Sequence, residues 1–334
     1  MHCMSSSVVQ PKALTYDFDG RQRAADLYLP ANAAPEAGVV LLPGVSKEGK
    51  RDARLVALAR AFADAKFATL VPDLPNLRQL KVTPDDAQEI EAAFRYLITR
   101  PDLAPHGRAG IAAASYGVGP AVIAALDPRI GDRVRFVVGI GGYYDMQEVV
   151  TFNITGWYRD RTQKPALWRH MEQSQYGKWI FMLSNLDYVP SPHDRELLRQ
   201  VAEQKLRNPA ASVDALAGQL GEQGRVYYDL LTTTNPQDIP SRLARISPLV
   251  RRRIDELNLA RRDLSKMSAE LILIHGYNDQ SIPYTESKEL AAAAPKAKLY
   301  LVHNLAHVDL GKGGLPDILR LICAVNELLA QRQK

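Results

Sequence analysis

Cysteine is scarce in this chain: two in 334 residues, Cys3 and Cys323, far apart and in different settings. That count argues against a disulfide framework or a cysteine-based zinc site. Cys323 lies in an apolar helical stretch and reads as a buried free thiol. Apolar runs are short, and none approaches the ~20 residues of a membrane span. Residues 1–7 carry no hydrophobic signal region. The expectation is a cytoplasmic protein; a cysteine followed by serines at the start leaves an exported form with a trimmed lipoprotein leader as the other reading. Strong charge of one sign is also lacking, since the formal net charge is only +5. No basic stripe is interleaved with aromatics, so no nucleic-acid partner is expected. The arginines at 251–253 and 261–262 read as solvated helix faces. Phosphate-binding loops are missing too: Gly117-Val118-Gly119 has neither the spacing nor the acidic partner of a dinucleotide fingerprint, and there is no P-loop.

What is present is the alternation of an α/β protein. Candidate strands fall at 13–18, 24–29, 39–42, 68–71 and 135–140. A helix at 53–65 carries Leu55, Leu58, Ala59 and Phe62 at helical spacing. A second helix is expected to start at Thr83-Pro84-Asp85-Asp86, with threonine as cap and carboxylates at the positive end. Strands alternating with helices predict a mostly parallel sheet covered on both faces. From 145 to 267 apolar strands disappear and helical segments at 194–206, 213–220 and 240–259 take over. All three tryptophans (Trp157, Trp168, Trp179) lie there, and the sheet pattern resumes at Ala269. The expected organisation is a disordered N-terminus at 1–12, a core formed by 13–145 and 268–334, and an inserted helical cap at 146–267.

The chemistry-bearing segment is residues 108–120, a short apolar strand that breaks at Ser115 and continues through small residues into a helix. This is the layout of a nucleophile elbow, which needs small residues two before and two after the serine, here Ala113 and Gly117. A serine nucleophile needs a general base, and the base needs an acid to hold its tautomer. Asp279 follows the apolar run ending at Gly276, and His307 follows the strand ending at Val302. The order Ser115, Asp279, His307 is one of the three known chain orders for such a triad. His303 and His275 are the competing bases, His275 reading rather as a brace for the Asp279 turn. Asp145 is the competing acid, and Asp309 reads as a surface or helix-start residue.

On these residues the chain resembles the α/β-hydrolase superfamily, in particular its esterase and dienelactone-hydrolase-like branch. The resemblance rests on 25–30, 38–45, 67–75, the elbow, 276–283 and His307, and covers about 13–145 and 268–331. It implies the α/β-hydrolase fold with an inserted helical cap, and a serine hydrolase cleaving a carboxylic ester through Ser115, His307 and Asp279. The oxyanion donors would be the N–H of Tyr116 and that of Val45, with Ser46 in reserve. The chain departs from many relatives in having Leu42-Pro43-Gly44 where they have His-Gly. Neither cofactor nor metal is called for. The substrate implied is a small-molecule ester, apolar or aromatic if the cap aromatics line its pocket rather than pack. Lactone or dienelactone hydrolysis and peptidase or amidase activity use the same triad; a non-catalytic binding protein of the same fold is the reading from another class. A homodimer remains open.

Overall fold

The computed structural model describes residues 9–161, 163–303, 305–306, 309–310 and 314–333, with only the backbone described at 306, 309 and 310. The first half runs β1 (Lys12–Phe18), β2 (Arg21–Tyr28), β3 (Ala37–Leu41), α1 (Ala53–Asp64), β4 (Phe67–Pro72), α2 (Pro75–Arg78), α3 (Asp86–Ile98), β5 (Ala109–Ala114), α4 (Val118–Ala125) and β6 (Val134–Ile140). A long insertion follows: α5 (Met146–Thr155), β7 (Trp157–Asp160), β8 (Leu167–His170), α6 (Gln175–Asn185), α7 (Pro192–Arg207), α8 (Asp214–Ala217), α9 (Glu222–Thr232), α10 (Ile239–Arg245) and α11 (Pro248–Leu257). The chain then closes with β9 (Glu270–Gly276), α12 (Tyr284–Ala293), β10 (Ala297–Val302), β11 (Leu305–Ala306), β12 (Asp309–Leu310) and α13 (Leu315–Ala330).

Eight strands form one sheet in the order β1-β2-β4-β3-β5-β6-β9-β10. β2 pairs antiparallel with both its neighbours, and every other pairing is parallel. The central strands are apolar along their length because helices cover both faces; β3 and β4 are buried at every position. Side chains alternate between two cores, as the strand period requires. Val40, Leu70, Ile111, Val137 and Leu273 face α3 and α4. Val39, Leu41, Phe67, Phe136 and Ile272 face α1 and its Phe62.

Several expectations need correction. α3 begins at Asp86 rather than Thr83, because the Asp86 carboxylate folds back to accept the Thr83 N–H at 3.1 Å. The expected helix at 240–259 is two, broken where Ser247 accepts from the Leu249 N–H and Pro248 opens α11. The expected helix at 213–220 shrinks to the single turn of α8, and α9 was not foreseen. The insertion also holds a hairpin, β7 with β8, tied by an Asp160–Arg169 ion pair at 3.0 Å. Val9 is buried and its carbonyl accepts from Arg60, so order extends into the expected N-terminal tail. Cys323 is exposed, not buried, because it faces away from the sheet on α13. Cys3 lies outside the described residues, and among those described no helix is long and apolar enough to cross a membrane.

α4 approaches the sheet closely enough that one glycine is indispensable. A Cβ on Gly119 would lie 1.8 Å from the buried Tyr143 hydroxyl, whereas one on Gly117 would meet Ala113 and Leu42 at ordinary contact distances of 3.6 and 3.9 Å. Gly119→Ala is therefore expected to lower unfolding free energy by about 1–3 kcal/mol through overpacking. Gly117→Ala should cost less than about 1 kcal/mol; urea denaturation of both variants measures the contrast.

Candidate active site

The strand order reverses direction of growth at β3, which has β4 on one side and β5 on the other. In open α/β sheets the crevice at the carboxyl ends of such a pair is where ligands bind. Here those ends carry the loop containing Val45 and Ser46 and, from β5, Ser115. The Leu42 N–H donates to the Ala112 carbonyl at 2.9 Å and holds the two ends in register. Ser115 has φ +54°, in the left-handed region, and leads at once into a tight turn and α4. An L-residue there costs roughly 1–2 kcal/mol, so the surrounding packing must impose it.

Ser115 lines a cavity of about 900 Å³. Val45, Ser46 and Tyr116 line it too, as do Ser281 and Ile282 beyond β9. The far walls come from the insertion: Met146 and Val149 of α5, Ile180 and Phe181 of α6, Ile254 of α11. None of the three tryptophans reaches it; Trp179 is buried elsewhere and Trp168 is exposed.

Tyr116 is anchored from below. Its hydroxyl lies 3.1 Å from both Asp86 Oδ2 and the Thr83 carbonyl, and its ring stacks on Tyr143. Tyr143 in turn donates to the Leu257 carbonyl at the end of α11. Burial pushes the Asp86 carboxyl up to about 6, against donors from Thr83, Asn76 and Tyr116. Asp86 escaped the sequence reading because an acidic residue near a helix start looks like a solvated first-turn carboxylate.

The two candidate acids have different surroundings. Asp279 is fully buried, and its Oδ1 accepts from the N–H groups of Ser281 (2.8 Å) and Ile282 (3.0 Å), both cavity-lining residues. His275 Nε2 lies 3.3 Å from Asp279 Oδ2 and 2.9 Å from the Ile282 carbonyl, while Nδ1 meets Ser287 at 2.7 Å. A carbonyl can only accept, so Nε2 carries a proton, and the ring spans the Asp279 turn. A Cβ on Gly276 would sit 1.7 Å from the Leu305 carbonyl, so glycine lets Leu305 pack against this turn. Asp145 is engaged otherwise: it caps α5 through the Gln147 N–H, accepts from Asn258 at 2.8 Å and pairs with Arg161 at 3.3 Å. His303 pairs with Asp317 at 3.2 Å and packs its ring, tilted by 30°, against Tyr277, and it does not line the cavity. Asp309 stands opposite Ala306 in a short ladder rather than at a helix start. His307 lies outside the described residues. Ser115, Val45, Ser46 and Tyr116 thus share one cavity with the residues that hold Asp279.

The insertion is strapped to both loops of this crevice. The Tyr176 hydroxyl donates to the Val45 carbonyl at 2.8 Å, and the Ser174 N–H donates to the Gln280 carbonyl at 2.7 Å. Arg253 donates to the carbonyls of Ser184 and Val82, tying α11 and α6 to the chain before α3. Lys178 also lines the cavity, and burial lowers its ammonium to about 8. Beneath the insertion the buried Glu286 accepts the N–H groups of Tyr144 (3.0 Å) and Asp145 (2.7 Å). No sequence signal marks it, since it stands in an ordinary helical pattern. Among the described residues no cluster of histidine, cysteine and acidic side chains could hold a metal ion.

No protein-family model matches the chain, and no curated protein matches it in sequence. Solved structures do. Dienelactone hydrolase from Anabaena variabilis aligns over 96% of this chain and 97% of its own at TM-score 0.50 and 15% identity. Est1E from Butyrivibrio proteoclasticus aligns over 96% and 99% at TM-score 0.51 and 13% identity. An esterase from Pyrococcus furiosus aligns over 97% and 90% at TM-score 0.52 and 11% identity. With the mostly parallel eight-stranded sheet, these establish that the chain has the α/β-hydrolase fold.

Burial, together with the nearby Glu289 and Asp145 carboxylates, pushes the Glu286 carboxyl up to about 8 in spite of its two N–H donors. Against an ordinary value of 4.5, the folded protein holds a proton that the unfolded chain has released, so stability falls as pH rises from about 4.5 to 8. Glu286→Gln keeps the accepting oxygen and removes the titration. It is expected to flatten the stability profile in that window and to exceed wild type by a few kcal/mol above pH 8, measured by urea unfolding across pH.

Proposed function

We propose that the protein is a serine hydrolase that cleaves a carboxylic ester through an acyl-enzyme. The observation that carries this reading is the left-handed Ser115, held at the strand-order reversal and facing a cavity shared with Val45 and Tyr116. Strain of this kind at a strand end, in a turn that exposes a hydroxyl, is what a nucleophile elbow requires. Ser115 Oγ attacks the ester carbonyl and the carbonyl electron pair moves onto oxygen, which the N–H groups of Val45 and Tyr116 receive. His307 takes the serine proton and delivers it to the departing alkoxide, and Asp279 accepts the other imidazole proton. Water then attacks the acyl group by the same route and frees Ser115. That several fold neighbours are named esterases or dienelactone hydrolase supports hydrolysis on this scaffold. The aliphatic walls from α5, α6 and α11 support an apolar substrate, and this insertion acts as the cap over the crevice.

The test is hydrolysis of p-nitrophenyl acetate, butyrate and octanoate, with fluorophosphonate labelling mapped by mass. Ser115→Ala is expected to abolish labelling and to lower turnover by about 10³–10⁶-fold. Ser115→Gly should be as inactive yet more stable than Ser115→Ala by about 1 kcal/mol, because glycine relieves the left-handed strain. An unlabelled wild type that hydrolyses none of the esters would refute the proposal in favour of a non-catalytic binding protein. Tyr176→Phe, which frees the Val45 carbonyl, is expected to reduce kcat/KM by about three- to tenfold, the worth of one hydrogen bond.

A further inference from the structure

The C-terminal helix α13 is apolar on two opposite sides. One side, with Ala324 buried and Leu328 partly so, packs onto the core beneath the sheet. The other presents Leu315, Ile318, Leu319, Ile322 and Val325, exposed by 70, 47, 53, 48 and 49%. These are five of the ten large apolar side chains exposed among the described residues, so the patch is a concentration and not background. At 3.6 residues per turn they fall within a sector of about 120° and a length of about 15 Å. A contiguous apolar patch of a few hundred Å² marks an interaction surface.

We propose that α13 is the contact helix of a twofold dimer of this chain, packed antiparallel against its copy across this stripe. The stripe is close to palindromic about position 320. Antiparallel pairing sets Leu315 against the partner's Val325 and Ile318 against the partner's Ile322, which is the self-complementarity an isologous interface demands. Two such patches with their rims bury about 1,000 Å² in total, the lower bound for a specific interface. The charge pattern disfavours a lipid surface as the occupant. Interfacial helices carry lysine and arginine along the polar face, and the one cation in α13, Arg320, is paired with Asp317 at 3.1 Å. Strand addition at the neighbouring outer strand β10 is disfavoured as well: Lys298 stands on it, paired with Glu270 and Glu327, and an edge lysine blocks pairing.

Sedimentation velocity of the full chain from about 1 to about 100 µM, spanning the affinities such an area supports, tests the assignment. Wild type is expected to dimerise in this range. Leu319→Glu and Ile322→Glu, both at exposed positions, should raise the dissociation constant at least about 30-fold with the circular dichroism spectrum unchanged. A wild type monomeric throughout overturns the proposal, and so does a dimer that both variants leave intact. Floating the protein with phosphatidylcholine–phosphatidylserine vesicles supplies the remaining arm: vesicle binding by a monomer, lost in the variants, overturns the dimer in favour of a lipid surface. The assay does not depend on ester hydrolysis.

Discussion

One backbone torsion constrains the rest of this molecule: the positive φ of Ser115 at the end of β5. A strained residue survives only where its neighbours leave no alternative. Here β5 lies in the middle of the sheet, buried from Ala109 to Ala113, with β3 and β6 in register on either side. Below the turn, α4 is pressed onto the Tyr143 hydroxyl at Gly119 and cannot slide. Tyr116 cannot swing out either, since its ring stacks on Tyr143 and its hydroxyl is held by Asp86. The strained turn at Ser115 is thus the consequence of a packed sheet, one close helix approach and a buried carboxylate acting together.

The insertion completes the site, because its apolar faces form the far wall of the cavity. It meets the core through specific bonds: Tyr176 to Val45, Ser174 to Gln280 and Arg253 to Val82. Tyr143 joins the two systems, since it packs against the elbow helix and donates to the last residue of α11. The insertion thus bonds to the loop that carries Val45 and, through Tyr143, reaches the helix that follows Ser115.

Underneath the roof lies a compact set of charges. Arg161 pairs with Asp145, Glu148 and Glu289, and Arg159 reaches the same Glu148. A carboxylate already shared among a helix cap, an asparagine and an arginine is poorly placed to serve an imidazole. Asp279 differs, with Oδ1 accepting from two backbone donors and Oδ2 3.3 Å from His275 Nε2. The distinction between the two acids is one of partners: those of Asp279 come from its own turn, whereas Asp145 is held in part by Asn258 from the far end of the insertion.

What the sequence by itself determined is what local rules control. Apolar runs of four to seven residues became the strands of a parallel sheet because period and burial are written in adjacent positions. Ser115 between Ala113 and Gly117 was legible because a tight turn restricts side-chain size within five residues. Element ends and breaks were less legible: α3 starts at Asp86 because a distant tyrosine and a local backbone N–H compete for its carboxylate, and the 157–170 hairpin shows only four-residue strands. The tertiary structure alone decided the raised carboxyl of Glu286, the anchoring of Tyr116, the latch from Tyr176 to Val45 and the outward face of α13. Each depends on which distant surfaces meet, and desolvation and hydrogen-bond partnership are properties of that meeting rather than of any stretch of sequence.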